Sequence, residues 1–176
     1  THIPDPVKQR MQEEIKAVRD EIESFKPHVV YTLLEEFHYA TAYDQHIASY
    51  LELIKIPYTG CNPRGLILAR GKDLSKTLVH HRRIAVPAFA VFPMRRKVKR
   101  PSRLALPLIV KSLSEDGSFG ISQASIVDTD EKLAERVAFV HDRIGTAAIA
   151  EQYIEGRELY VGVLGNNRLR VLPVWE

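Results

Sequence analysis

Leu106-Pro107-Leu108-Ile109-Val110-Lys111-Ser112-Leu113-Ser114-Glu115-Asp116-Gly117-Ser118-Phe119-Gly120 is an apolar run that ends in a lysine and opens into a loop of small residues. The run has the length and content of a buried strand. A strand ending in an ammonium and leading into a glycine- and serine-bearing loop suits the holding of phosphates. Backbone N–H groups at glycine approach oxygens closely, and the lysine adds a point charge. Downstream, Glu151-Gln152-Tyr153-Ile154-Glu155-Gly156-Arg157-Glu158 sets two carboxylates, Glu151 and Glu158, on either side of a turn. Acids so placed suit the base and sugar of a nucleoside.

The composition fits this reading and narrows it. A chain of 176 residues with 45% hydrophobic and 27% charged content is long enough to bury a core, as one domain or two small lobes. No apolar stretch reaches the length of a membrane span, and the N-terminus lacks the layout of a secretory signal. The single cysteine, Cys61, forms no internal disulfide, lies in a turn without a basic helper and fits a cytoplasmic, reducing setting. The net charge of +3 is unevenly spread, with Arg95, Arg96, Lys97, Lys99, Arg100 and Arg103 crowded together. No aromatic residue interleaves with them, so they are taken as a solvated loop rather than a nucleic-acid site.

Asp5-Pro6 is a helix-start signal, and Val7, Met11, Ile15, Val18, Ile22 and Phe25 continue it as one apolar stripe up to Pro27. Val29 to Leu34 reads as a buried parallel strand, Ile47 to Ile54 as a helix and Ile56 to Tyr58 as a short strand. That alternation predicts an α/β layer. Helices are predicted at about Pro63–Ala69 and Asp73–Arg82. Strands are predicted at Ala88–Phe92, up to Lys111, and at Ile121–Val127. Leu133, Val137, Val140 and Ile144 mark a helix capped by Asp128 or Thr129. Ala147–Ile154, Glu158–Leu164 and Leu169–Val174 complete the strands, the last two joined by a Gly165-Asn166-Asn167-Arg168 turn. The second part therefore reads as an antiparallel α+β sheet carrying a helix. The boundary between the parts is expected between Cys61 and Asp73.

Several familiar sites are excluded. There is no P-loop, no three-glycine dinucleotide fingerprint and no zinc-spaced Cys/His pair. His80 and His81 lack a nucleophile context and are taken as surface residues. From position alone, Lys76 fits a solvated helix lysine as well as a phosphate ligand. Glu151 fits a water-facing strand position, and Glu158 a partner for Arg157.

In combination, Lys76, Lys111, the Glu115–Gly120 loop, Glu151 and Glu158 resemble, in order and spacing, the ATP-grasp superfamily, most closely its D-alanine–D-alanine ligase branch. The likeness runs from about His28 to Glu176. It is densest in Leu51-Glu52-Leu53-Ile54 with Pro57-Tyr58-Thr59-Gly60, in Leu108 to Ser122, and in Glu151 to Gly165. It implies a partial N-terminal α/β domain over residues 1–62, the central ATP-grasp lobe over 63–150 and the first strands of the C-terminal lobe over 151–176. It also implies that Lys76 and Lys111 contact the ATP phosphates, and that Glu115, Gly117, Ser118 and Gly120 belong to the loop closing over them. Glu151, Gln152 and the backbone near Ile154 would hold the adenine edge, and Glu158 the ribose. An ATP-dependent carboxylate–amine ligase working through an acyl-phosphate is the activity implied, with an amino-acid or peptide-like substrate. A non-catalytic remnant or interaction module is the alternative. A homodimer is compatible with the family.

The departures are specific. The family's Mg2+ ligands and oxyanion arginine come after the segment matching Leu169 to Glu176, so this stretch alone is not expected to complete catalysis. Thr1 and the strand-like ending suggest a piece of a longer protein. Leu34-Glu35-Glu36-Phe37-His38-Tyr39-Ala40 lacks the glycines of the family's amino-acid-binding stretch. Ser112 replaces a common proline, and Ser114 a common arginine.

Overall fold

A computed structural model of the chain describes residues 5–34 and 41–176. The stretch from Leu34 to Ala40 therefore falls almost wholly outside the described residues. Helices α1 (Asp5–Phe25), α2 (Asp44–Leu53), α3 (Pro63–Arg70) and α4 (Lys72–His81) precede strand β1 (Phe89–Phe92). Then come β2 (Leu108–Ser112), β3 (Ile126–Val127), α5 (Asp130–Phe139), β4 (Ala148–Gln152), β5 (Val163–Leu164) and β6 (Arg170–Val171). One antiparallel four-stranded sheet has the order β1-β4-β2-β3, and β5 and β6 form a separate ribbon.

The sheet has two unlike faces because its side chains alternate. Val110 stands opposite Ala150, and Leu108 opposite Val127. These residues share one face and pack against Leu133, Val137 and Val140 of α5 and the turn that follows it. Leu104 and Phe92 close this core. Each large side chain fully withdrawn from water here contributes about 1.5–3 kcal/mol. On the other face Lys111 stands opposite Ile149, while Ile109 and Phe89 flank Glu151. Ile149 is fully buried yet takes no part in the α5 core, which marks the second face as covered.

Thr129 caps α5 by accepting from the Lys132 N–H at 3.2 Å. Thr129→Ala is expected to lower stability by about 1 kcal/mol, read as a shift in the urea midpoint with an unchanged slope.

Four predicted strands come out differently. Ile121–Val127 is strand only at its last two residues. Ser122 and Ser125 form a reciprocal capping box there and wind Gln123–Ser125 into a 3-10 turn. Val29–Leu34 makes a single parallel bridge, Val30 to Tyr58. Pro57 offers no N–H to extend it, and the Thr59 hydroxyl accepts from the Thr32 N–H at 2.9 Å in place of a ladder carbonyl. The strands after Glu158 shorten to the β5–β6 ribbon and a Tyr160–Trp175 bridge. Among the described side chains of the α1 stripe, Ile15 is 45% and Phe25 81% exposed, while Val18 and Ile22 are half-buried.

The basic segment is not wholly solvated. Arg100 donates to the Asp130 carboxylate at 2.5 and 3.2 Å and to the Leu104 carbonyl. This pairing holds the Asp130 carboxyl below its ordinary range. It ties the loop to the N-terminus of α5, where an acid also suits the helix dipole.

Candidate functional site

Lys111 leaves β2 on the face away from the α5 core, and Glu151 leaves the neighbouring β4 on the same face. Their diagonal placement in the register brings Nζ of Lys111 to 3.4 Å from a Glu151 oxygen. Lys76, one turn into α4, reaches the same oxygen at 3.2 Å. Glu151 is 4% exposed, and the two lysine side chains retain 20% and 26% of their surface. Two ammonium groups thus face one withdrawn carboxylate, with one positive charge in excess. The alternation in β4 does not turn Glu151 to water, because α4 lays a lysine over that face.

α4 also holds the loop. Lys72 and Lys76 stand one turn apart on one face of the helix. The Lys72 ammonium donates to the Glu115 carbonyl and lies 3.4 Å from Asp116, while its N–H donates to the Leu113 carbonyl at 3.3 Å. The Glu115 carboxylate accepts from Thr41 at 3.3 Å. Ser112 is 2% exposed, its oxygen accepts from the N–H groups of Ser114 and Glu115, and it pairs with Thr146 at 2.8 Å. A proline at this position would offer no such acceptor, so Ser112 is an anchor rather than a neutral replacement.

Gly117 and Ser118 both take positive φ, at 63° and 60°. Gly120 does too, at 72°, and a Cβ there would lie 2.5 Å from Ile144 Cδ1, so only glycine fits without rearrangement. Phe119 is 61% exposed rather than part of the core. Together with Thr41, Asp44, Arg70, Glu115, Asp116 and Gly117 it lines a cavity of about 410 Å³. Asp44 and Arg70 meet there in an ion pair of 2.5 Å, both largely withdrawn from water.

Among the described residues, no side-chain hydrogen bond or ion pair joins the remaining expected positions to the lysine–glutamate cluster. Gln152 is exposed, and its N–H donates to the Ala88 carbonyl at 2.8 Å. Ile154 is 60% exposed. Glu158 is exposed and accepts from the Tyr160 hydroxyl at 3.3 Å, while Arg157 pairs with Glu176 at 3.5 Å. The partner of Glu158 is thus Tyr160 rather than a member of the cluster.

Lys72, Ser112 and the Asp44–Arg70 pair do not stand out in the sequence as site residues. The i,i+4 spacing of Lys72 and Lys76 carries a usable signal. The Asp44–Arg70 contact crosses between helices and carries none.

The mixed helix-and-sheet fold resembles solved ATP-grasp D-alanine–D-alanine ligase structures. A solved structure of that kind, the ligase from Bacillus anthracis, superimposes with a TM-score of 0.65 at 20% identity over 88% of this chain and 55% of that one. The sequence pattern of the family described as D-ala D-ala ligase C-terminus matches residues 78–176, more than half of the chain, and the chain belongs to that family.

A D-alanine–D-alanine ligase from Desulfotalea psychrophila is 36% identical over 136 residues, covering 76% of this chain and 41% of its own length. An uncharacterized protein of Sinorhizobium fredii, y4sG, is 36% identical over 131 residues, covering 74% of this chain and 38% of its own. The chain spans about two fifths of the length of these curated relatives. No helix among the described residues is long and apolar enough to cross a membrane.

Proposed function

We propose that this chain is the nucleotide-holding portion of an ATP-dependent carboxylate–amine ligase. In this reading residues 1–62 belong to an N-terminal α/β domain, 63–150 form the central lobe and 151–176 begin the third. The observation that carries the proposal is the meeting of Lys76 and Lys111 on Glu151, beside a loop tethered by Lys72 and Ser112.

The fit to a polyphosphate is chemical. Two partly open ammonium groups share one carboxylate, so an incoming phosphate oxygen replaces a contact that each already makes over more than 3 Å. The loop N–H groups and its glycines allow close approach, and its closure excludes water from a reactive acyl-phosphate. A Bacillus anthracis relative of the same fold was solved complexed with ATP, which supports this choice of ligand.

When bound, ATP supplies the phosphoryl group that activates a carboxylate toward an amine. The share of this chain is to bind, orient and offset charge. Glu151, Gln152 and the backbone at Ile154 are proposed for the base and Glu158 for the ribose. Among the described residues no three metal-ligating side chains gather, so no step is assigned to Mg2+ on this stretch. The acceptor and donor are proposed to be amino-acid-like, and the setting cytoplasmic.

The test is a thermal-melt titration of the chain with magnesium-ATP. Saturable stabilisation is expected, reaching about 2.7 kcal/mol at a hundredfold excess over Kd. Melting curves unmoved by millimolar nucleotide would count decisively against nucleotide binding. In the longer parent protein, phosphate release that requires an amino-acid substrate separates a ligase from a non-catalytic remnant.

A further inference from the structure

Arg136 brings a buried guanidinium into the packing of α5, and the lysine–glutamate cluster makes no use of it. It is 8% exposed, it pairs with no carboxylate among the described residues, and its Nε is buried without a hydrogen-bond partner. Burial pushes its pKa below the ordinary arginine value. Withdrawing an unpaired cation from water is costly, and a Leu or Met would fill a helix position facing a sheet without that cost. The contacts it does make point to the loop. One terminal nitrogen donates to the Gly120 carbonyl and also to the Ser125 hydroxyl, the latter at 2.8 Å. The guanidinium carbon lies 4.2 Å from the centre of the Phe139 ring, which fixes its plane.

Gly120 stands two residues before the Ser122–Ser125 capping box, at a positive φ of 72° and with Ile144 Cδ1 2.5 Å from where a Cβ would lie, so a side chain there would strain the backbone and displace Ile144. Ser125 is fully buried, and it accepts from the Ser122 N–H at 3.0 Å. The far end of the loop is therefore fastened by a chain running from Arg136 to Gly120, Ser125 and Ser122. The near end is fastened by Ser112 and Thr146. Residues 116–119 between them are exposed.

We propose that Arg136 is a positioning residue for the nucleotide loop. It fixes the C-terminal hinge so that the segment from Asp116 to Phe119 swings about two set points rather than drifting. The assignment rests on the nucleotide reading proposed above. It adds a residue on the opposite face of the sheet, in contact with no reacting group.

The experiment compares the 176-residue chain with Arg136→Met and Arg136→Lys. Chymotrypsin cleavage after Phe119 is followed by mass spectrometry without nucleotide, and magnesium-ATP affinity is measured by calorimetry. For Arg136→Met, about tenfold faster cleavage and about tenfold weaker affinity are expected, the size of one missing charge-assisted hydrogen bond, with a melting temperature within a few degrees of the parent. Arg136→Lys keeps one donor and recovers most of both.

Unchanged cleavage and affinity in Arg136→Met overturn the proposal. So does a drop in melting temperature with cleavage accelerated equally at sites outside the loop, because that describes a core residue only. If Arg136→Met fails to fold, Arg136→Gln carries the same comparison. A parent chain that binds no nucleotide sinks the ligase reading. The cleavage arm then still decides whether Arg136 holds the loop.

Discussion

Lys111→Ala is expected to weaken magnesium-ATP binding by about a hundredfold while leaving the protein folded. The size follows from what the ammonium gives a polyphosphate: charge-assisted hydrogen bonds contribute about 1.5–3 kcal/mol each, and a lysine at a strand end makes one or two. The fold is expected to tolerate the change, because the lysine side chain is 26% exposed and lies on the face away from the α5 core. Losing it does not leave the buried Glu151 carboxylate uncompensated, because Lys76 still pairs with the same oxygen at 3.2 Å. The melting temperature should therefore fall by no more than a few degrees.

Two controls sharpen the comparison. Lys111→Arg keeps the charge but replaces a compact ammonium with a planar fork, and partial recovery is expected. Lys76→Ala removes the second ammonium, and because both lysines meet one carboxylate the double variant should not be additive. Parent and Lys111→Ala curves that shift equally with nucleotide would remove phosphate contact from Lys111 and, with it, the basis of the proposed site.

Much of this site is readable in the residues alone. Lys111 announces itself because it ends a strand core of Leu108, Ile109 and Val110, where a charge needs a reason. The i,i+3 and i,i+4 pattern through Leu133, Val137 and Val140 gives α5 its buried face, and these residues are 0–1% exposed. Glu151 is less legible. Strand alternation fixes which face a residue takes but not whether a helix covers that face, and the cover comes from α4, far earlier in the chain. Ile121–Val127 misleads because its apolar residues suggest a strand, while the two serines within it bond to nearby backbone. Arg136 gives no signal at all: on a helix pattern it reads as a solvated basic residue, and only the packing of Gly120 beneath it shows otherwise.

Glu151→Ala is expected to cost more stability than any single lysine substitution in the cluster, about 3 kcal/mol. The carboxylate is 4% exposed, and both nearby ammonium groups lean on it. Removing one partner of a buried charge group costs about 3–5 kcal/mol because the others are left uncompensated. The lower end applies here, since both lysines keep a fifth to a quarter of their surface and relax partly into water. Glu151→Gln, which keeps an acceptor without the charge, should lose roughly half as much.

An added anion tests what gathers the two lysines. With the carboxylate gone, two ammonium groups face a position that an anion can take, and pyrophosphate should restore Glu151→Ala more than it stabilises the parent. Sodium chloride of equal ionic strength should not, because screening acts without occupying the position. Equal responses to the two salts would mean that the lysines diverge once Glu151 is removed. In that case the carboxylate, rather than a phosphate-shaped gap, is what gathers them. Selective rescue by pyrophosphate would instead mean that the backbone itself presents two cations to one anion, with Glu151 holding that position in the resting protein.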